Sequence, residues 1–100
     1  AAQSFCSSHR GKKSGHYSNA CAFSFNPMKV LNTYGEAGVV TTNSKKVFNN
    51  LLRLRHAGTI RKKNDININN SNDISLNHKI DTIHASFLIE KLKYIQILNM

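Results

Sequence analysis

The sequence predicts a two-layer α/β (α+β) fold. It reads as a ferredoxin-like half in the order β-α-β-α-β, with a three-stranded antiparallel sheet, two helices and an extended basic N-terminal arm. Three observations point there. β-favouring residues fill 29–34 ahead of Gly35 and Gly38. Apolar residues recur at spacings of three and four across 44–57 and stop at Gly58. Residues 1–28 hold Ser, Gly, Lys, His and Asn without a sustained period and are closed by Pro27.

The elements follow in order. Lys29-Val30-Leu31-Asn32-Thr33-Tyr34 predicts the first strand, and the glycines after it predict a turn. Thr41, Thr42, Asn43 and Ser44 are candidate N-caps for a helix whose stripe is Val47, Phe48, Leu51, Leu52 and Leu54. Gly58 can take the left-handed conformation that ends it. Thr59 to Lys63 predicts a short, Lys-rich edge strand, and the Asn-rich run from Asn64 to Asp73 a surface loop. Leu76, Ile80 and Ile83 stand at i, i+4 and i+7, which predicts a second short helix over 75–83. Ala85-Ser86-Phe87-Leu88-Ile89 predicts a buried strand to about residue 90, with the tail left open between strand and helix. The expected core is Val30, Val47, Leu51, Leu54, Ile60, Leu76, Ile80, Ile83, Phe87 and Ile89. The expected organisation is an arm over 1–28, a domain over 29–93 and a tail over 94–100.

One hundred residues carry 14 Lys plus Arg against 5 Asp plus Glu, a net charge of +9. The excess lies entirely in residues 1–63. A field of this sign favours a polyanion, whose counterions are released when Lys and Arg neutralise its phosphates. The candidate RNA-binding residues are Arg10, Lys12 and Lys13 on the arm; Lys45, Lys46, Arg53, Arg55 and His56 on the helix; and Arg61, Lys62 and Lys63 on the strand after it. Tyr17, Phe23 and Phe25 add stackable rings near the arm's charges. The apolar region 87–98 is interrupted by Glu90, Lys91 and Lys93, so no membrane span is expected.

Chemistry-bearing clusters are sparse. Cys6, His9, His16 and Cys21 form a two-Cys, two-His set of a type that suits zinc, but the spacing between the pairs is short and irregular, and no metal site is assigned. Asp65, Asp73, Asp81 and Glu90 are dispersed, Ser and His occur without a nucleophile turn, and there is no phosphate-cradling glycine loop. The expectation is a protein that is not an enzyme and needs no cofactor. Its acid-poor, basic start is of the kind found beside an organellar transit cleavage site.

The order strand, Gly turn, basic amphipathic helix, Gly, basic strand, loop, short helix, strand resembles the large-subunit ribosomal protein L-thirty family of the bacterial and mitochondrial type, over about residues 29–93. Val30-Leu31-Asn32-Thr33-Tyr34 with Gly38, Lys45-Lys46, and Leu52-Arg53-Leu54-Arg55-His56-Ala57-Gly58 carry the likeness. The run from Asn77 to Lys91 is similar to the family's closing helix and strand. The Asn loop and residues 1–28 depart from it. The resemblance implies a structural constituent of the large ribosomal subunit in the mitochondrial matrix. It implies rRNA and neighbouring ribosomal proteins as partners, contacts through phosphates and 2′-hydroxyls, and no small-molecule substrate. The alternative is a basic accessory subunit of an organellar membrane complex, docking through its amphipathic segment 88–98.

Overall fold

The structure, a computed structural model, describes residues 1–59 and 71–98. The chain divides into two compact units, one built from residues 1–43 and 80–100, the other from residues 44–79.

In the first unit, β1 (Ser8–His9) and β2 (Lys12–Lys13) form an antiparallel hairpin, His9 opposite Lys12. Its two turn residues, Arg10 and Gly11, both take positive φ (47° and 74°), as the tight hairpin turn matching strand twist requires. β3 (Cys21–Ser24) then pairs antiparallel with β4 (Gly38–Thr41), in a register that sets Cys21 against Thr41 and Ser24 against Gly38. Cys21 and Phe23 alternate inward along β3 and Phe25 continues the pattern, which is the period-2 signature of a strand with one buried face. Phe5 meets Phe23 and Phe25 edge-to-face, at ring-centroid distances of 5.6 and 5.9 Å.

Helix α2 (Thr82–Leu92) is capped by the Asp81 carboxylate, which accepts from the Ile83 amide at 2.9 Å. A single turn, α3 (Ile95–Leu98), follows. The core gathers Cys21, Phe23, Phe25, Leu31, Leu88 and Ile95, with Phe5, Cys6 and Ala37 against it.

The second unit is helix α1 (Lys45–Arg55) and the segment that closes its C-terminal end. Ser44 caps it, its hydroxyl accepting from the Val47 amide at 3.3 Å. At the other end Ala57 and Gly58 take φ of 54° and 71°, and the Gly58 amide donates to the Arg53 carbonyl at 3.0 Å. Two carbonyls that the helix cannot satisfy find donors downstream: Leu54 accepts from the Ser75 hydroxyl (2.8 Å) and Arg55 from the His78 amide (3.0 Å).

These elements correct the expected fold. Among the described residues there are two two-stranded sheets, not a three-stranded ferredoxin-like one. Residues 29–34 form no strand, because Asn26 turns the chain there and the backbone bonds of 25–37 close a loop instead. Residues 75–81 are not helical, and 85–90 lie inside α2 rather than in a strand. The expected extended arm contains β1, β2 and β3, and its Cys21, Phe23 and Phe25 are half of the buried core, with Phe5 packed against it. Among the described residues none of the expected core is buried: Val47 and Leu51 are half-buried, while Val30, Leu54, Leu76, Ile80, Ile83, Phe87 and Ile89 are exposed. Ile60, the predicted edge strand from it onward, and the Asn loop to residue 70 lie outside the described residues.

Candidate active site

The connection over residues 25–37 carries no helix or strand, although it is long for a loop inside a compact unit. Loops of more than about 12 residues with no structure of their own are commonly functional. This one is tightly held. At its neck Phe25 donates its amide to the Ala37 carbonyl (2.8 Å) and accepts at its own carbonyl from the Thr33 amide (2.9 Å). Just inside, the Asn26 side-chain oxygen accepts from the Met28 amide (3.0 Å), its carbonyl accepts from the Lys29 amide (2.9 Å), and its Nδ2 donates to Glu36 (2.6 Å). Pro27, with φ preset for such a turn, sits between them.

The loop rests on one face of α2. His84, Phe87, Leu88 and Lys91, at i, i+3, i+4 and i+7, meet Gly35, Tyr34, the core and Asn32 respectively. Tyr34 and Phe87 stand edge-to-face at 4.9 Å. Leu31 and Thr33 point inward, each 1% exposed, and among the described groups Thr33 Oγ1 has no hydrogen-bond partner.

Of the described lysines, Lys29 and Lys91 alone are half-buried; Lys12, Lys13, Lys45, Lys46, Lys79 and Lys93 are exposed. The Lys91 ammonium is committed, donating to the Asn32 carbonyl at 3.0 Å and to Asn32 Oδ1, with the Tyr34 ring 5.4 Å away. Lys29 differs. Its backbone is held on both sides, by the Asn26 carbonyl and by Asn32 Nδ2, which donates to the Lys29 carbonyl at 2.8 Å. Among the described residues its ammonium meets no acceptor and no acid. A half-buried lysine on an immobilised backbone, not spent on an ion pair, is a group that in its neutral form can condense with a carbonyl.

The sequence profile of the DegT/DnrJ/EryC1/StrS aminotransferase family matches residues 1–100. The chain belongs to that family. It is 32% identical over 93 residues to a UDP-2-acetamido-2-deoxy-3-oxo-D-glucuronate aminotransferase of Pseudomonas aeruginosa, covering 93% of this chain and 24% of the relative. It is 48% identical over 48 residues to a dTDP-3-amino-3,4,6-trideoxy-alpha-D-glucose transaminase of Micromonospora megalomicea, covering 48% of this chain and 13% of that one. Its backbone matches Helicobacter pylori PseC, an aminotransferase involved in the biosynthesis of pseudoaminic acid, with a TM-score of 0.86 and 24% identity, over 97% of this chain and 25% of the other. The chain thus spans about a quarter or less of the length of these relatives.

Membership in this aminotransferase family overturns the ribosomal resemblance and the ribosomal function that rested on it. The expectation of a non-enzymatic protein falls too, because the relatives are transaminases. With it go rRNA and ribosomal proteins as partners and the exclusion of a small-molecule substrate. The membrane-complex alternative fails on the same finding, and in the segment proposed for docking Leu88 and Ile95 are core residues. No described helix is long and apolar enough to cross a membrane.

The described residues predicted to bind RNA lie on separate elements. Arg10 turns the first hairpin, and Lys12 and Lys13 lie exposed on β2, where Lys13 donates to the Cys6 carbonyl. Lys45 and Lys46 are exposed in the first turn of α1, Lys45 standing 5.1 Å from the Phe48 ring centre. Arg53 pairs with Asp73, an acid that the sequence alone does not place beside this helix. Arg55 is exposed, and His56 ends α1 and bridges to Asn77. Arg61, Lys62 and Lys63 lie outside the described residues. Among the described residues no group of three or more His, Cys, Asp or Glu is placed to hold a metal; Cys6 and Cys21 are free thiols.

Lys29 is absent from every set of candidates drawn from the sequence. It reads there as the first residue of a strand. The available signal is the pattern around it: Cys21, Phe23 and Phe25 alternating, then Asn26-Pro27, then a lysine ahead of Gly35 and Gly38.

Proposed function

We propose that this chain is the lysine-bearing portion of an aminotransferase that acts on a keto sugar carrying a phosphate or a nucleoside diphosphate, with Lys29 as its catalytic amine. The family match supports the reaction class, and the relatives' sugar substrates support the substrate class. The single observation that carries the assignment of Lys29 is a half-buried residue on a backbone fixed at both sides, whose ammonium meets no acceptor among the described residues.

Transamination relies on pyridoxal phosphate, which when bound supplies an aldehyde that condenses with amines and a ring that withdraws electrons. The residues present fit it, since such a cofactor is held through a lysine and this loop offers one whose nitrogen is not spent elsewhere. Lys29 would hold the cofactor at Nζ. The same nitrogen, once released, accepts and returns the proton that amino transfer moves. Asn26 and Asn32 orient the lysine by holding its amide and carbonyl, so that only the side chain remains to be placed. Phe25 and Ala37 close the neck of the loop and keep it on the sheet.

The test is amino transfer from glutamate to a keto-sugar nucleotide by the natural full-length protein and its Lys29→Ala variant. A loss of roughly 10²–10⁴-fold or more in kcat is expected from removing the proton-transfer group. Retention of native kcat by Lys29→Ala would remove the assignment.

A further inference from the structure

We propose that Lys91 of α2 is a positioning residue for Lys29, acting through Asn32. This rests on the reading of Lys29 as the catalytic amine. Lys91 lies 59 residues from Asn32 in sequence, and two acceptors of its ammonium are the backbone and side-chain oxygens of that one residue. An asparagine amide can turn over to exchange its oxygen and nitrogen, and the partner of each decides which way it points. Here the cation takes Oδ1, which leaves Nδ2 directed at the Lys29 carbonyl, 2.8 Å away. The cation also faces the Tyr34 ring at 5.4 Å, so its place on the loop is fixed from two sides.

The consequence is an ordered sequence of contacts from a helix to the loop lysine. α2 places Lys91, Lys91 sets the Asn32 amide, and Asn32 holds the carbonyl of Lys29, whose amide is already held by Asn26. Without Lys91 the Asn32 amide is free to turn, and the Lys29 backbone loses its fixed partner on the carbonyl side. A nucleophile displaced by even an ångström reacts far more slowly.

Two substitutions separate positioning from simple structural support. Lys91→Met removes the cation but keeps an apolar stem of similar length. Asn32→Asp keeps, and strengthens, the pairing with Lys91 while removing the Nδ2 donor to Lys29. A merely structural role for Lys91 leaves Asn32→Asp harmless; a positioning role does not.

The experiment uses the natural full-length protein, stripped of cofactor and mixed with pyridoxal phosphate. Borohydride reduction at timed intervals followed by peptide mass analysis measures the rate of covalent attachment at Lys29, and thermal unfolding is recorded in parallel. Lys91→Met and Asn32→Asp are each expected to slow attachment by about 10–100-fold. The double variant is expected to be no slower than either single one, and Asn32→Asp to lose no more than about the Tm equivalent of one hydrogen bond. Attachment by Asn32→Asp within twofold of the native rate, or effects that multiply in the double variant, overturns the positioning role alone. Attachment to a different lysine in the native protein overturns the reading of Lys29, and this inference with it.

Discussion

The imidazole of His84 lies against the backbone of Gly35, so close that a Cβ at Gly35 would stand 2.6 Å from His84 Cε1. Glycine at this position is therefore a packing requirement: the loop that carries Lys29 meets α2 with only a hydrogen in between. The group in the way is the end of a half-buried side chain, so the cost depends on how far the imidazole can turn aside.

Gly35→Ala is expected to destabilise the first unit by roughly 1–3 kcal/mol, the usual cost of forcing extra volume into a packed contact. His84→Ala in the same molecule should recover at least half of that loss, because the two changes share one space. Thermal unfolding of the two single variants and the double variant reads the coupling. Additive losses would show that the imidazole is not what Gly35 accommodates.

Gly58 makes a stricter demand. It takes φ of 71°, and a Cβ there would stand 2.1 Å from the Asp73 carbonyl oxygen, a backbone atom that cannot swing aside. Gly58→Ala combines a left-handed backbone with that overlap and should cost about 2–4 kcal/mol in the second unit. The segment that closes α1 would be displaced first. Amide hydrogen exchange at Asn72 and His78, which donate to the Gly58 and Arg55 carbonyls, is expected to accelerate sharply. Unchanged protection at both amides would contradict the assignment of this turn.

Thr33 is nearly inaccessible, and its hydroxyl is unsatisfied among the described groups. A buried hydroxyl without a partner is destabilising, and valine has nearly the same shape without the polar atom. Thr33→Val is expected to raise stability by up to about 1 kcal/mol, read as an increase in Tm. A fall of similar size would show that the hydroxyl bonds to a group elsewhere in the assembled protein.

Helix α1 was legible because its signals are local: Ser44 at the cap, apolar residues at spacings of three and four, Gly58 at the stop. Helix α2 was not, because Ile83, Phe87, Leu88 and Ile89 have the composition of a strand. What decides for helix is tertiary, the face of His84, Phe87, Leu88 and Lys91 laid on the loop, together with the Asp81 cap. The run 29–34 misled in the opposite direction. Its β-favouring residues serve a loop in which Leu31 and Thr33 turn inward and backbone bonds to Phe25 and Asn26 set the path. The aromatics of the expected arm read as rings open to stacking, whereas Phe5 meets Phe23 and Phe25 through the fold.

The site was illegible for a related reason. A lysine becomes a candidate amine by lacking a partner in a sheltered place, and the sequence lists Lys29 and Lys91 as equals. Only the structure shows that Lys91 is committed to Asn32 while Lys29 meets no acceptor among the described residues. Net charge drew attention to Arg53, Lys45 and Lys46, which the structure leaves on surfaces or in an ion pair. The ribosomal likeness rested on a basic helix ending in glycine, a feature that many unrelated helices share.

The most direct measurement is the identity of the lysine that carries the cofactor. Native full-length protein incubated with pyridoxal phosphate, reduced with borohydride and digested should yield the added mass on the peptide containing Lys29, and no label at that peptide in Lys29→Ala. Recovery of the added mass on a peptide that lacks Lys29, or labelling of the Lys29→Ala protein to the same extent as the native one, would contradict the account.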